Sequence, residues 1–213
     1  MTIVPLDTAR LRAALDELAS RDPDVAAALA RTGYPEPRVH EPGFATLLRA
    51  VAAQQISTAA AAAVWRRVEA ALEGEVTAAS VLALAETDLR ACGFSGRKVE
   101  YARGLAAAVE AGVLPLKALP AMAEEDAVAA ITALRGFGRW SAEIYLLFAL
   151  GRADSFPADD LGLQVGFQRL KRLEARPGGK DLRALVEPWR PFRGAGALLL
   201  WHYYGTATLD GTG

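Results

Sequence analysis

Cysteine occurs once in this sequence, at position 92. One thiol cannot close an internal disulfide, and it cannot hold an iron–sulfur cluster, which takes four. Cys92 therefore reads as a small core side chain, and a cytoplasmic protein is expected. Long apolar runs are also missing: none reaches the roughly 18 residues that span a bilayer, so no membrane association is expected. The first residues carry Asp7, Arg10, Arg12, Asp16 and Glu17 among their apolar positions, an amphipathic helix pattern and not a signal peptide. The two histidines, His40 and His202, have no metal-ligand spacing, which excludes a transition-metal site of the usual kind. Charge of one sign is lacking too. The net charge is −1, so this is not a strongly basic nucleic-acid module.

What is present is a chain of 213 residues, 52% of them hydrophobic, enough to bury a core as one compact unit or two closely packed lobes. The charge is uneven. From Leu161 onward eight basic residues (Arg169, Lys171, Arg172, Arg176, Lys180, Arg183, Arg190 and Arg193) face only four acids. That surplus is either a basic surface or a solvated helix face.

The periodicity is helical nearly throughout, and no alternating apolar run bounded by turns predicts a sheet. Asp7 caps a helix through Leu18, and a short helix runs from about Asp22 to Ala30. Pro35, Pro37 and Pro42 mark a loop before a helix from Phe44 that ends near Gln54–Gln55. Ser57 and Ser95 are N-caps of two further helices. Short helices lie near 78–85 and 88–92. Others cover about 124–134, 138–150, 159 or 160 to 170, 181–186 and 193–204.

Two motifs carry chemistry. In Leu134-Arg135-Gly136-Phe137-Gly138, two helical patterns meet with almost no linker. Glycines permit the tight turn and leave N–H groups uncovered just where a helix begins, so the positive dipole end favours an anion such as a phosphate. The alternative is an ordinary glycine-capped turn. The second motif is Asp159-Asp160, at the start of a helix. Adjacent carboxylates there point in different directions, so they read as one cap and one reactive group, or as capping alone.

Together these segments resemble a known family. Leu134–Ser141 (LRGFGRWS) and Asp154–Leu161 (DSFPADDL) are similar to the hairpin and the aspartate strip of the helix-hairpin-helix, or HhH-GPD, DNA glycosylases. Further matches lie at Gln54–Ser57, at Cys92–Lys98 and at Glu187–Arg193. Their order and spacing resemble the AlkA-like, 3-methyladenine DNA glycosylase II branch, over about residues 44 to 205.

The resemblance implies an all-α, two-lobed fold with the base pocket between the lobes and no N-terminal β domain. About 1–50 with 150–213 would form one lobe. About 51–149 would form the other, carrying hairpin 134–138. It implies a monomeric repair enzyme of the cytoplasm and nucleoid that binds damaged duplex DNA, flips out an alkylated base and hydrolyses its N-glycosidic bond. Asp160 matches the catalytic aspartate. A carboxylate beside the anomeric carbon stabilises the positive charge that develops on the sugar and orients or deprotonates water. Bifunctional relatives carry a lysine where Trp140 stands, so a monofunctional enzyme that leaves an abasic site is expected.

For the base pocket the resemblance implies Trp140 and Trp201, with Phe44, Tyr145, Gln54 and Gln55 as additions. Electron-rich ring faces suit a cationic base. For DNA contact it implies Gly136, Phe137, Gly138 and Arg139 at the hairpin, and Phe94, Arg97, Lys98 and Arg193 elsewhere. A relative's leucine wedge falls on Gly96, so Phe94 or a glutamine is expected to fill the gap left by the flipped base. The main-chain carbonyls of Thr132, Leu134 and Phe137 are expected to hold a structural Na+ or K+. No cofactor is required, and no iron–sulfur cluster. The rival expectations are a glycosylase for deaminated, oxidised or cyclic-adduct bases, and a non-catalytic DNA-binding module.

Overall fold

The computed structural model describes residues 4–209, with side chains except at positions 58 and 207–209. Every regular element among these residues is helical. The α-helices are α1 (Thr8–Arg21), α2 (Pro23–Thr32), α3 (Phe44–Ala53), α4 (Thr58–Ala71), α5 (Ala78–Ala83), α6 (Glu86–Ala91), α7 (Gly96–Glu110), α8 (Glu124–Thr132), α9 (Arg139–Phe148), α10 (Leu161–Lys171), α11 (Gly179–Leu185) and α12 (Arg193–Leu209). The all-helical expectation holds among them.

Local chemistry sets the helix starts. Asp7 accepts from Arg10 N at 2.9 Å, and Ser57 from Ala60 N at 3.2 Å. Ser95 accepts from Lys98 N, while Thr77 and Ser80 form a reciprocal capping box. Asp22 ends α1 and caps α2, whose first residue is Pro23, where a missing N–H costs nothing.

The chain divides into two compact units. One comprises residues 40–145 and the other residues 4–39 with 146–209. Helix α3 thus groups with the hairpin, and the second boundary falls inside α9. In the hairpin unit α3 turns Leu47, Leu48 and Val51 inward and packs on α4 and α7, while α5 lies along α7. Leu89, Leu105 and Ile131 complete a core in which each buried leucine or isoleucine contributes on the order of 2 kcal/mol.

In the other unit α1 buries Leu11, Leu15 and Leu18 toward α2 and α12. Helices α10 and α12 form its closest pair. A methyl on Gly166 would stand 2.8 Å from the Leu200 carbonyl oxygen, so only glycine lets these backbones approach. Trp189 packs 5.6 Å from Phe167 and donates its indole N–H to Asp22 Oδ2 at 2.9 Å. Lys171 Nζ reaches Asp22 at 2.6 Å and Asp24 at 2.8 Å. Burial works against the Asp22 charge, but the Lys171 and Trp189 hydrogen bonds outweigh it. They hold the carboxyl below the usual carboxylate range.

Candidate active site

Asp160 sits one residue before α10, in an extended conformation (φ −71°, ψ 124°) that makes it the N-cap. Its Oδ1 accepts from Leu163 N at 3.1 Å and from the indole N–H of Trp201 at 2.9 Å. Neither of these bonds uses Oδ2. Trp201 comes from the middle of α12, and Phe148, at the end of α9, lies 5.8 Å away at a 41° tilt. Gly162 lies under this arrangement. A methyl there would stand 3.1 Å from Asp160 Oδ1 and 3.2 Å from Trp201 Cδ1. The structure thus brings together, in one unit, the carboxylate and one of the two indoles singled out in the sequence.

The sequence reading divided capping and chemistry between the two aspartates. In the structure Asp160 is the cap, because α10 starts at Leu161. Asp159 is exposed and lies 3.5 Å from Arg183. Below them Gln164 is buried. It donates to Ala158 O at 3.0 Å and accepts from Arg176, fixing the strap that leads to Asp160.

The hairpin joins α8 to α9. Gly136 has φ +92°, and a methyl there would fall 2.3 Å from the Tyr101 ring, so both conformation and space demand glycine. Gly138 has open space where a side chain would be, which leaves the start of α9 uncovered. Phe137 turns inward and is buried, while its N–H closes the turn on Leu134 O at 3.2 Å. Any contact it makes with DNA falls to its main chain. Trp140, on the first turn of α9, is 44% exposed.

Several expected site residues are engaged elsewhere. Phe94 is only 3% exposed, so it is a core residue and not a gap filler. Lys98 donates to Ala52 O at 2.7 Å, and burial pushes its ammonium below the ordinary lysine range. The Arg139 guanidinium is held by the exposed Glu125 at 2.8 Å and by the buried Glu143 at 2.9 Å, which raises its pKa. Arg193 is buried and bidentate on Asp154 at 2.9 and 2.8 Å, with Glu187 at 3.2 Å. Of these three cations only Arg193 is buried, while Lys98 and Arg139 are half-buried and already have partners. Arg97 alone of the expected basic contacts is exposed.

Phe44 and Tyr145 are buried as well. The Tyr145 hydroxyl accepts from Gly43 N at 2.9 Å, and burial raises its pKa, so neither ring presents a face to a ligand. Gln54 donates to the hairpin carbonyl of Gly136 at 2.8 Å, which makes it a brace for the turn. Gln55 is exposed and has φ +57°, a left-handed conformation that glutamine rarely adopts. Of the eight basic residues of the C-terminal stretch, Lys171, Arg183, Arg190 and Arg193 pair with carboxylates. Among the described residues no group of three His, Cys, Asp or Glu side chains could hold a metal ion, and no helix is long and apolar enough to cross a membrane.

A glycine hairpin followed by a capped aspartate bonded to an indole is a specific combination, and a family model covers it. Residues 48–191 match the model of the HhH-GPD superfamily of base excision DNA repair proteins. This chain belongs to that superfamily. The DNA-3-methyladenine glycosylase 1 of Schizosaccharomyces pombe is 35% identical over 74% of this chain and 71% of its own length. The structure of the S. pombe 3-methyladenine DNA glycosylase in complex with abasic DNA matches with a TM-score of 0.79 at 32% identity. It covers 88% of this chain and 94% of that one. A DNA-3-methyladenine glycosidase from Bacillus halodurans matches with a TM-score of 0.82 at 27% identity, over 99% and 95% of the two chains.

Sequence reasoning missed Gly162, Gln164, Phe148 and Arg38, whose guanidinium lies over Trp201. Only Gly162 left a trace, as a glycine inside a helical pattern.

Proposed function

We infer that this member of the HhH-GPD superfamily is a DNA-3-methyladenine glycosylase of base excision repair, a hydrolase of the N-glycosidic bond. The observation that carries the reading is the pairing of Asp160 with Trp201, a carboxylate fixed at 2.9 Å on an indole. Alkylation of a purine ring nitrogen makes the base cationic and a good leaving group, so little acid catalysis is needed. As the bond to the sugar lengthens, positive charge grows on the anomeric carbon, and the Asp160 carboxylate stabilises it and orients or deprotonates the water that replaces the base. One carboxylate suffices, unlike the matched pair of most glycoside hydrolases. The Trp201 ring offers the extruded base a flat, electron-rich surface.

The partner is damaged duplex DNA. The uncovered start of α9 at Gly138 binds a backbone phosphate through main-chain N–H groups. This supplies positive potential that the paired arginines do not. The carbonyls of Thr132 and Leu134, at the end of α8, and of Phe137 are hard neutral oxygens suited to Na+ or K+, which would screen that phosphate. Gln55, exposed and in a strained conformation, fills the gap left by the extruded nucleotide in place of the buried Phe94. Trp140 stands where bifunctional relatives carry an amine, so the product is an abasic site on an intact strand.

Asp160→Asn tests the catalytic assignment cleanly. Asparagine caps a helix about as well as aspartate and can still accept the indole N–H, so only the charge is removed. Base release from methylated duplex DNA should fall at least ~1000-fold, the scale of losing an electrostatic stabiliser, with the melting temperature nearly unchanged. A variant that still releases base at the wild-type rate would refute the assignment.

A further inference from the structure

Among the described residues six arginines lie over aromatic rings, and five of those rings (Tyr34, Phe192, Tyr203, Trp65 and Tyr204) have no part in the proposed chemistry. The sixth is Arg38, whose guanidinium carbon stands 5.3 Å from the centre of the Trp201 ring. Arg38, Trp201, Phe148 and Asp160 all belong to the same unit. Arg38 is exposed, on the proline-rich loop before α3, and among the described residues no carboxylate pairs with it. Its described contact is therefore the one indole that also grips Asp160.

A tryptophan face attracts a cation through the negative potential above its ring. That attraction is the physical basis on which such a site would prefer a cationic, alkylated base over a neutral one. Here one face of the ring already carries a positive charge. A base stacked on the opposite face, at a stacking distance of about 3.5 Å, would sit about 9 Å from that charge. A neutral base gains the stacking and feels no net repulsion, whereas a cationic base gains the stacking and is repelled.

We propose that Arg38 is a specificity-determining residue: by standing on Trp201 it lowers the preference of the site for cationic bases and opens it to neutral lesions. The proposal rests on the assignment of Trp201 and Asp160 to base excision. Its chemistry is a charge balance at the base and needs no further group.

The test uses the full chain and two duplexes, one carrying a single 7-methylguanine, which is cationic, and one a single hypoxanthine, which is neutral. Single-turnover release is measured for wild type, Arg38→Met and Arg38→Lys. Methionine keeps an apolar stem without charge, and lysine keeps the charge. Because Arg38 is exposed, neither change should disturb the fold, and any general loss of rate cancels in the ratio of the two substrates. The ratio of 7-methylguanine to hypoxanthine release should rise roughly fivefold in Arg38→Met, the size expected for removing one partly solvated charge, and stay within about twofold of wild type in Arg38→Lys. An unchanged ratio in Arg38→Met overturns the proposal. So does an equal shift in both variants, or a wild type that releases 7-methylguanine but no hypoxanthine. A wild type that releases neither base overturns the role of Arg38, and if it also releases no 3-methyladenine from methylated duplex DNA the glycosylase assignment falls with it.

Discussion

Replacing Gly162 by alanine should slow the enzyme without weakening the fold. The added methyl would lie 3.1 Å from Asp160 Oδ1 and 3.2 Å from Trp201 Cδ1, where ordinary contact begins near 3.4 Å. One of the two partners must therefore retreat by about 0.3 Å, and both are held to each other by the 2.9 Å hydrogen bond. A misplacement of 1 Å in a reacting group can cost about 100-fold, so a shift of a few tenths should cost roughly three- to tenfold in the single-turnover rate, and Gly162→Val considerably more. Stability should move the other way. Alanine is favoured over glycine within a helix by up to about 1 kcal/mol, so the melting temperature should hold or rise slightly. Gly166, one turn later, is the control. Its methyl would meet the Leu200 backbone carbonyl at 2.8 Å, which cannot swing aside as a side chain can. Gly166→Ala should cost about 1–3 kcal/mol of stability. Base release and thermal melting of the two variants give the answer. Wild-type activity in Gly162→Ala, or an activity loss matched by a fall in melting temperature, would refute the reasoning.

Gly138→Asp places a carboxylate at the uncovered start of α9, and should weaken binding to duplex DNA at least tenfold in an equilibrium titration. Affinity equal to wild type across a salt series would remove the hairpin from the binding site. Acid stability should depend on Asp22. Its folded pKa is depressed, so its stabilisation is complete above the ordinary value of 3.8 and is lost as pH falls toward the folded value. Asp22→Asn should accordingly flatten the loss of melting temperature below about pH 4, and an unchanged acid limb would show that the bonds to Lys171 and Trp189 contribute nothing.

The parts that were legible in the sequence are those written in local chemistry. The caps at Asp7, Ser57 and Ser95, the glycine turn at 136–138 and the aspartate before α10 need only a few neighbouring residues to specify them. The reassigned side chains depend on partners far along the chain. Lys98 meets a carbonyl 46 positions away, and Arg193 a carboxylate 39 positions away. No periodicity announces such a pairing. Phe94 lies two positions from Gly96, where the wedge of a relative falls, yet its ring is drawn into the core. The sequence reading divides capping and chemistry between two adjacent aspartates, and the fold gives both the cap and the indole contact to Asp160. A carboxylate has two oxygens, and the bonds to Leu163 and Trp201 share one of them. Arg38 gave no signal at all, since a lone arginine in a proline-rich loop has no pattern to break.

The internal pairing of Lys171, Arg183, Arg190 and Arg193 bears on how such an enzyme searches. Counterion release sets the grip of a protein on undamaged duplex, and a cation already paired with a carboxylate releases no counterion. Visits to intact sequence should then be brief. Sliding over long tracts gives way to frequent detachment and re-encounter, and dwell time is concentrated where a nucleotide already leaves the stack readily.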